Sequence, residues 1–202
     1  MSPRTIFGSG QVFDVCGGTA YSAELLCENG RIIDIGTDLN GDEFVDCSGL
    51  TLLPGFIDCH IHVGISVKSI ENRRSLRRYA VIPVLSTLLS LGITAIRDAW
   101  GADAGVREAV ELGYFPGPRI QVSLRQLSPT GGIGDHYLDA LGAVDFFGDP
   151  SMPNSVFDGP IEARAAVFGA ARLNPQSLGE SEQAHSHSRS IGCAEWFAPV
   201  PT

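Results

Sequence analysis

Two histidines separated by one residue, His60 and His62, form the pattern in this chain with the clearest chemical meaning. They end an apolar segment that begins with Pro54 and Gly55, and Asp58 precedes His60 by two residues. Side chains alternate between faces along a strand, so Asp58, His60 and His62 would share one face of an extended segment. Two imidazoles about 7 Å apart on one face can bind a divalent metal such as zinc. We therefore predict a metal site at the end of a buried strand. The alternative is a pair of structural histidines, because buried polar groups need hydrogen-bond partners.

Three further polar residues are candidates for a catalytic role. Asp98 ends the second predicted strand and could point toward a bound metal or substrate. An aspartate in this position otherwise serves as a helix cap or as a partner for Arg97. Asp135 and His136 lie in a polar, glycine-rich stretch over residues 125–157, and loops of this length are usually functional or disordered.

A second pair of histidines at the same spacing, His185 and His187, lies near the carboxyl end of the chain. Their surroundings are rich in serine and contain no apolar strand. We therefore interpret this pair as part of a solvated tail rather than as a second metal site.

The composition describes an ordinary globular chain of 202 residues, of which 44% are hydrophobic and 18% are charged. A net charge of −9 argues against binding to nucleic acid or to an anionic membrane, because it leaves no basic face. The sequence has neither a signal-peptide core nor a run of about 18 apolar residues. Its five cysteines form neither a zinc knuckle nor an even disulfide framework, and Cys59 is expected to fill the core. These features predict a cytoplasmic location.

The elements that must position these residues fall into three segments. Residues 1–53 contain short β-rich runs and an Asn29-Gly30 turn, which predict a small antiparallel β-sandwich module. Residues 54–173 alternate strands and helices, as about three βα units with a parallel sheet would. Residues 174–202 show no periodicity, and we expect them to be aperiodic, either disordered or frame-shifted.

Within the middle segment the helix and strand boundaries carry local signals. Pro83 should kink or split the first helix. A second helix should begin after Asp103 as N-cap and end before Gly113, and a third should begin at Pro160. The predicted ranges are helix 71–91, strand 93–98, helix 103–112, strand 118–123 and a helix from 160.

Several motifs in this order resemble the amidohydrolase superfamily of metal-dependent hydrolases. The resemblance covers about residues 4–173 and is carried first by Pro-Gly-Phe-Ile-Asp-x-His-x-His at residues 54–62. More narrowly, the chain is similar to the prolidase and imidazolonepropionase-like branch. The motifs that carry this narrower similarity are Gly-Ile-Thr-Ala-Ile-Arg-Asp at 92–98, Gly-Pro-Arg at 117–119 and Leu-Ser-Pro-Thr-Gly-Gly-Ile-Gly-Asp at 127–135.

The resemblance implies a (β/α)8 barrel with one or two divalent metals, most often zinc, at the carboxyl ends of the strands. His60 and His62 would be ligands, and later strands of the family supply a carboxylated lysine, two histidines and an aspartate that is also the general base. The activity implied is hydrolysis of a C–N bond in a small-molecule amide or lactam by metal-activated water. The branch has histidine where this chain has Ile133, so the role of that histidine is open here, and His136, three residues later, is the candidate to replace it if the loop is flexible.

The chain is short for such a barrel, which needs about 250 residues. About 150 residues follow Pro54, and the chain's one lysine, Lys68, falls in the first βα loop. We therefore expect the amino-terminal part of an incomplete barrel, with residues from about 174 read from a shifted frame or an intron.

On this sequence alone, whether the chain is itself an active enzyme is undecided. One alternative is a non-catalytic fragment or pseudoenzyme that acts through a partner chain, by homo- or hetero-association. A further alternative is a small metal-binding module that combines His60 and His62 with His185 and His187.

Overall fold

The computed structural model describes residues 3–64, 74–135, 137–139, 142–143, 155–173 and 197–201. Lys68, His136, His185 and His187 lie outside these ranges. The chain divides into two compact units, one formed by Met1–Ile57, Leu91–Thr94 and Glu182–Thr202, the other by Asp58–Ser90 and Ala95–Ser181.

Strands and helices follow one another in an order that places most strands in the first third of the chain. The strands are β1 Thr5–Gly8, β2 Gln11–Asp14, β3 Thr19–Ser22, β4 Glu24–Glu28, β5 Arg31–Gly36, β6 Glu43–Asp46, β7 Leu50–Pro54, β8 Phe56–Ile61, β9 Ile93–Asp98, β10 Arg119–Val122, β11 Tyr137–Leu138, β12 Gly142–Ala143 and β13 Phe197–Pro201. The helices are α1 Arg74–Ser90, α2 Ala104–Glu111 and α3 Pro160–Leu173. The predicted α/β class is confirmed.

The first unit contains two four-stranded sheets, with strand orders β5-β4-β1-β6 and β13-β7-β2-β3. The Asn29-Gly30 turn between β4 and β5 is confirmed, and both residues have positive φ, 50° and 72°, as a tight hairpin turn requires. The prediction of a wholly antiparallel module is wrong, because β1 pairs with β6 and β2 with β7 in parallel. Parallel partners are joined by crossovers rather than by tight turns, so no local turn signal reveals them.

The two sheets share one buried core. Its members come from β2, β4 and β7 and from the adjoining loops, and they are Val12, Ala23, Leu25, Cys47 and Leu52. Strand β13 pairs antiparallel with β7 at the edge of its sheet, inside the segment that was predicted to be aperiodic. Pro199 and Pro201 are compatible with an edge strand, where a missing N–H costs no ladder bond.

The oxidation state of the cysteines and the length of the helices can be compared with the predicted cytoplasmic location. Cys27 is disulfide-bonded, whereas Cys16, Cys47 and Cys59 carry free thiols. The cytoplasmic location was predicted partly because the cysteine spacings indicate no disulfide framework. The disulfide at Cys27 counts against that reason, because disulfides are rare in reducing compartments, and the location stays a prediction. No helix among the described residues is long and apolar enough to cross a membrane.

The second unit holds the helices, strand β10 and the carboxyl-terminal parts of β8 and β9. These strands form a sheet with the order β10-β9-β8, in which β9 and β10 pair in parallel. Helix α2 confirms its predicted boundaries: the carboxylate of Asp103 accepts a hydrogen bond from Val106 N at 2.9 Å, and Gly113 has a φ of 72° just beyond the helix. Helix α3 begins at Pro160, as predicted. Helix α1 continues through Pro83 without interruption, so the prediction that this proline could split the helix is wrong, and a kink at Pro83 stays a prediction.

Candidate metal centre

Strand β8, which carries His60 and ends one residue before His62, is largely exposed rather than buried. β8 stands at one end of the strand order and has β9 as its neighbour. Phe56 and Ile57 are 54% and 64% exposed, and His60 and His62 are exposed as well. The prediction of a buried strand is therefore wrong, because burial depends on neighbouring elements that the apolar sequence of the strand does not itself supply. The prediction that Cys59 fills the core fails for the same reason, since its side chain is exposed.

The rings of His60 and His62 are close, with centroids 5.2 Å apart and planes inclined at 77°. This spacing can be tested against the geometry of zinc. A Zn–N distance of about 2.0–2.1 Å puts the centre of a bound imidazole about 3.2 Å from the metal. Two such centres at a tetrahedral angle are then about 5.2 Å apart. The separation of the two rings thus fits two imidazole ligands of one tetrahedral ion.

Asp58, on the same strand, is used locally. Its Oδ1 accepts a hydrogen bond from the backbone N–H of His60 at 3.0 Å. This hydrogen bond joins the side chain of Asp58 to the backbone of His60, and the imidazole ring of His60 takes no part in it. Asp58 therefore stabilises the backbone conformation at His60.

The ring of His62 is oriented by the loop that follows β9. Its Nδ1 lies 3.2 Å from the carbonyl oxygen of Trp100, and the two rings meet edge to face with centroids 6.2 Å apart. A carbonyl oxygen only accepts, so Nδ1 carries the proton in this contact and Nε2 keeps the lone pair. Metal-bound histidines commonly have such a partner on the second ring nitrogen. Sequence reasoning missed Trp100, because a backbone carbonyl leaves no mark on residue type.

Asp98 is completely buried, and both of its carboxylate oxygens are occupied by backbone groups. Oδ1 accepts from Val63 N and Oδ2 from Ala102 N, each at 2.8 Å. Burial raises the pKa of Asp98, while these two hydrogen bonds and the nearby His62 act in the opposite direction. Arg97, one alternative partner suggested by the sequence, instead donates to Gln121 Oε1 at 3.4 Å.

Asp135 serves its own loop in this structure. Its Oδ2 accepts from the backbone N–H of Gly131 at 2.9 Å, and its own N–H donates to the Gly132 carbonyl at 3.0 Å. Ile133, at the position where the related branch has histidine, is 82% exposed. The loop is tied to the start of α3, because Asp158 accepts from both the N–H and the hydroxyl of Thr130, at 2.9 and 2.6 Å.

His60 and His62 form a pair of imidazoles that is not part of a larger group of ligand-type side chains in the described residues. Within the ranges that the structure covers, no group of three or more His, Cys, Asp and Glu side chains could hold a metal ion. Two histidines fit a divalent ion by chemistry and by spacing, but a catalytic zinc usually has three protein ligands. The pair could therefore provide two of the ligands that a catalytic zinc needs, and not the third.

Helices that follow strands, with two histidines at the end of one strand, are typical of α/β proteins, a class in which ligands commonly bind at the carboxyl ends of the strands. The family can be stated more closely. A sequence model of the amidohydrolase family matches residues 51–162, and the chain belongs to this family. The family predicted from the motifs is confirmed.

Individual relatives include enzymes that act on different molecules. Dihydroorotase of Lactobacillus johnsonii is 38% identical over 58 residues, which cover 29% of this chain and 13% of that enzyme. Adenine deaminase of Moorella thermoacetica is 31% identical over 114 residues, 54% of this chain and 18% of the relative. A prolidase solved with N-methylphosphonate-L-proline is 30% identical with a TM-score of 0.68, and the match covers 82% of this chain and 44% of the prolidase. The chain thus spans less than half the length of that solved relative.

Proposed function

We propose that this chain supplies the first two metal ligands, His60 and His62, of a hydrolase that cleaves a C–N bond in a small-molecule amide or lactam. The observation that carries the proposal is the 5.2 Å separation of the two rings, which matches two imidazoles on one tetrahedral ion. The contact between His62 Nδ1 and Trp100 O supports it, because it leaves Nε2 as the ligand atom.

The chemistry required is hydrolysis. One water is added across the C–N bond, the carbonyl carbon becomes a carboxylate and the nitrogen leaves as an amine, or stays attached when the substrate is a lactam. A divalent ion held by His60 and His62 would lower the pKa of water toward neutrality and would polarise the carbonyl. Imidazole ligands suit zinc, manganese, iron and cobalt alike, and zinc is our first choice because its preferred geometry fits the ring spacing.

The relatives suggest where a substrate search should begin. The ligand of the solved prolidase has a phosphonate on the proline nitrogen, a tetrahedral group that mimics a carbonyl to which water has been added. We therefore propose N-acyl prolines and Xaa-Pro dipeptides as the first substrates to assay. Dihydroorotate, a cyclic amide, is the second choice, since the dihydroorotase match covers a shorter stretch.

Metal binding by the full chain tests the ligand assignment. Zinc affinity is measured by competition with a chromophoric chelator, and total metal is measured on the purified protein. Replacing His60 or His62 by Asn keeps a polar side chain and removes the imidazole, so each variant should lose at least tenfold in zinc affinity. Unchanged affinity in both variants would contradict the proposal.

A matched control addresses the second histidine pair, which lies outside the described residues. His185→Asn and His187→Asn have the same chemistry of substitution and the same spacing. They should leave zinc affinity unchanged if the tail takes no part. A loss as large as that of the His60 variants would instead favour the small metal module.

A second candidate function is non-catalytic: a chain that acts only together with a partner chain. Two observations favour it, namely the lack of a third ligand among the described residues and the exposure of Phe56 and Ile57 beside the histidines. Light scattering coupled to size-exclusion chromatography would show the association, and an amide-hydrolysis assay on the same sample separates the alternatives. Hydrolysis that depends on His60 supports the enzyme, whereas stable association without hydrolysis supports the partner.

A further inference from the structure

We propose that Asp98 is a positioning residue that orients His62 through the loop between β9 and α2. The ligand role of His62 is taken from the proposed function. The orientation itself is a property of the metal-free chain and can be tested separately.

Two backbone segments meet at this point: residues 61–64, at the end of β8, and residues 98–102, at the end of β9. The N–H of Ala99 donates to the carbonyl of Ile61 at 2.8 Å, which continues the pairing of the two strands by one step. Beyond that step, side-chain groups add further connections between the two segments. Asp98 and the contact between His62 and Trp100 are two such connections.

The carboxylate of Asp98 connects the two segments directly. One oxygen accepts the N–H of Val63, the residue after His62, and the other accepts the N–H of Ala102, two residues beyond Trp100. The two oxygens belong to one rigid plane, so they set the distance between the segments on either side. Complete burial makes both hydrogen bonds stronger than they would be in water and leaves neither oxygen facing solvent.

Asp98 is itself anchored. Its carbonyl accepts the N–H of Ser123 at 3.0 Å, at the end of β10, so the residue is held from the neighbouring strand as well. Both carboxylate oxygens of Asp98 accept backbone hydrogen bonds, and its own backbone is held in place. The side chain can therefore fix the position of the loop relative to β8, and it is poorly placed to bind a metal or to take a proton from a substrate. We therefore assign it a structural effect on the site and no direct contact with the reacting atoms.

The consequence for His62 concerns which nitrogen is free. With the loop in place, the Trp100 carbonyl accepts from Nδ1–H, and Nε2 points its lone pair away from that contact. If the loop shifts, the Nδ1–H form loses its partner and the ring can rotate. Partners of this kind are worth about 10–100-fold in metal affinity when removed.

The test uses the full chain with Asp98→Asn. The variant keeps the shape of the side chain but places an NH2 group opposite one of the two backbone N–H donors. In the metal-free protein, nitrogen chemical shifts should show a smaller fraction of His62 in the Nδ1–H form, and the Val63 and Ala102 amides should exchange faster. Zinc affinity should fall about 10–100-fold. Asp135→Asn is the matched control, since that carboxylate also accepts a backbone N–H, and it should leave the His62 signals unchanged.

A wild-type measurement covers the case in which Asp98→Asn does not fold. Couplings across the hydrogen bonds, from the Val63 and Ala102 nitrogens to the Asp98 carboxyl carbon, should be present, and His62 should be in the Nδ1–H form. Missing couplings, an Nε2–H form in the wild type, or an unchanged His62 in a folded variant would overturn the inference. A wild type that binds no zinc would contradict the proposed function and leave these metal-free results standing.

Discussion

Gly64→Ala should disturb the histidine site from outside, because Gly64 lies directly against the backbone of Gly101. A Cβ at residue 64 would lie 2.2 Å from the carbonyl oxygen of Gly101 and 2.4 Å from its carbonyl carbon. Real Cβ contacts are essentially never shorter than 3.0 Å, so the two segments must separate by at least 0.8 Å. Both atoms belong to the backbone, and no side-chain rotation relieves the contact.

The expected effects follow from this displacement. Gly101 neighbours Trp100, whose carbonyl oxygen is 3.2 Å from His62 Nδ1. A 0.8 Å shift passed on in full along that line would lengthen the distance to about 4.0 Å, beyond hydrogen-bond range, and this is the upper limit of the effect. Overpacking of this kind costs about 1–3 kcal/mol of unfolding free energy. Removing the partner of a metal-bound histidine lowers metal affinity about 10–100-fold.

Urea unfolding and zinc competition measure the two effects in the same preparation. Gly159→Ala is the control, because no atom lies within 4 Å of its added Cβ and the substitution is the same. The control should stay within about 0.5 kcal/mol of the wild type and keep its zinc affinity. If Gly64→Ala loses stability but keeps its zinc affinity, the loop does not orient His62. If it loses neither, the two backbones are not in contact.

Three further substitutions test the framework around the site. Asp103→Ala removes the cap of α2 and its contact with Val106 N, and it should cost about 0.5–2 kcal/mol in urea unfolding. Leu85→Ala empties a completely buried position on α1 and should cost about 2–5 kcal/mol by the same measurement, with full stability contradicting the packing. Hydrogen bonds from Thr130 hold the pKa of Asp158 below its ordinary value, so this contribution to stability is present above about pH 4 and is lost as pH falls through the lowered pKa. Thr130→Val should raise that pKa in a carboxyl-carbon titration, and an unchanged value would exclude the hydroxyl as its cause.

Local signals predicted the helices well. The ends of α2 follow from Asp103 and Gly113 because capping uses side chains and backbone conformations within one turn of the helix. The start of α3 at Pro160 is equally local. The pair His60 and His62 was also evident, since the two residue types and their spacing lie within three consecutive positions of the sequence.

The features that the sequence did not reveal depend on contacts between distant segments. The parallel pairing of β1 with β6 needs a crossover, and the short strand β3 is exposed throughout, with no alternation to mark it. The exposure of Phe56 depends on what lies beside β8, not on Phe56 itself. The orientation of His62 depends on a carbonyl oxygen 38 residues away, which every residue type could provide.

Supplying metal ligands and orienting them are separate tasks, and under the proposed function the described residues would perform the second more completely than the first. Two imidazoles leave a tetrahedral ion two positions short, so the affinity of the pair alone should be modest. The contacts made by Trp100 and Asp98 nevertheless reduce the freedom that His62 would lose on binding, and such preorganisation raises affinity without adding a ligand. The measured affinity therefore discriminates. Weak zinc binding that still depends on the loop between β9 and α2 would indicate that His60 and His62 are the only protein ligands. Tight zinc binding would indicate that residues outside the described ranges, or a second chain, supply the other ligands.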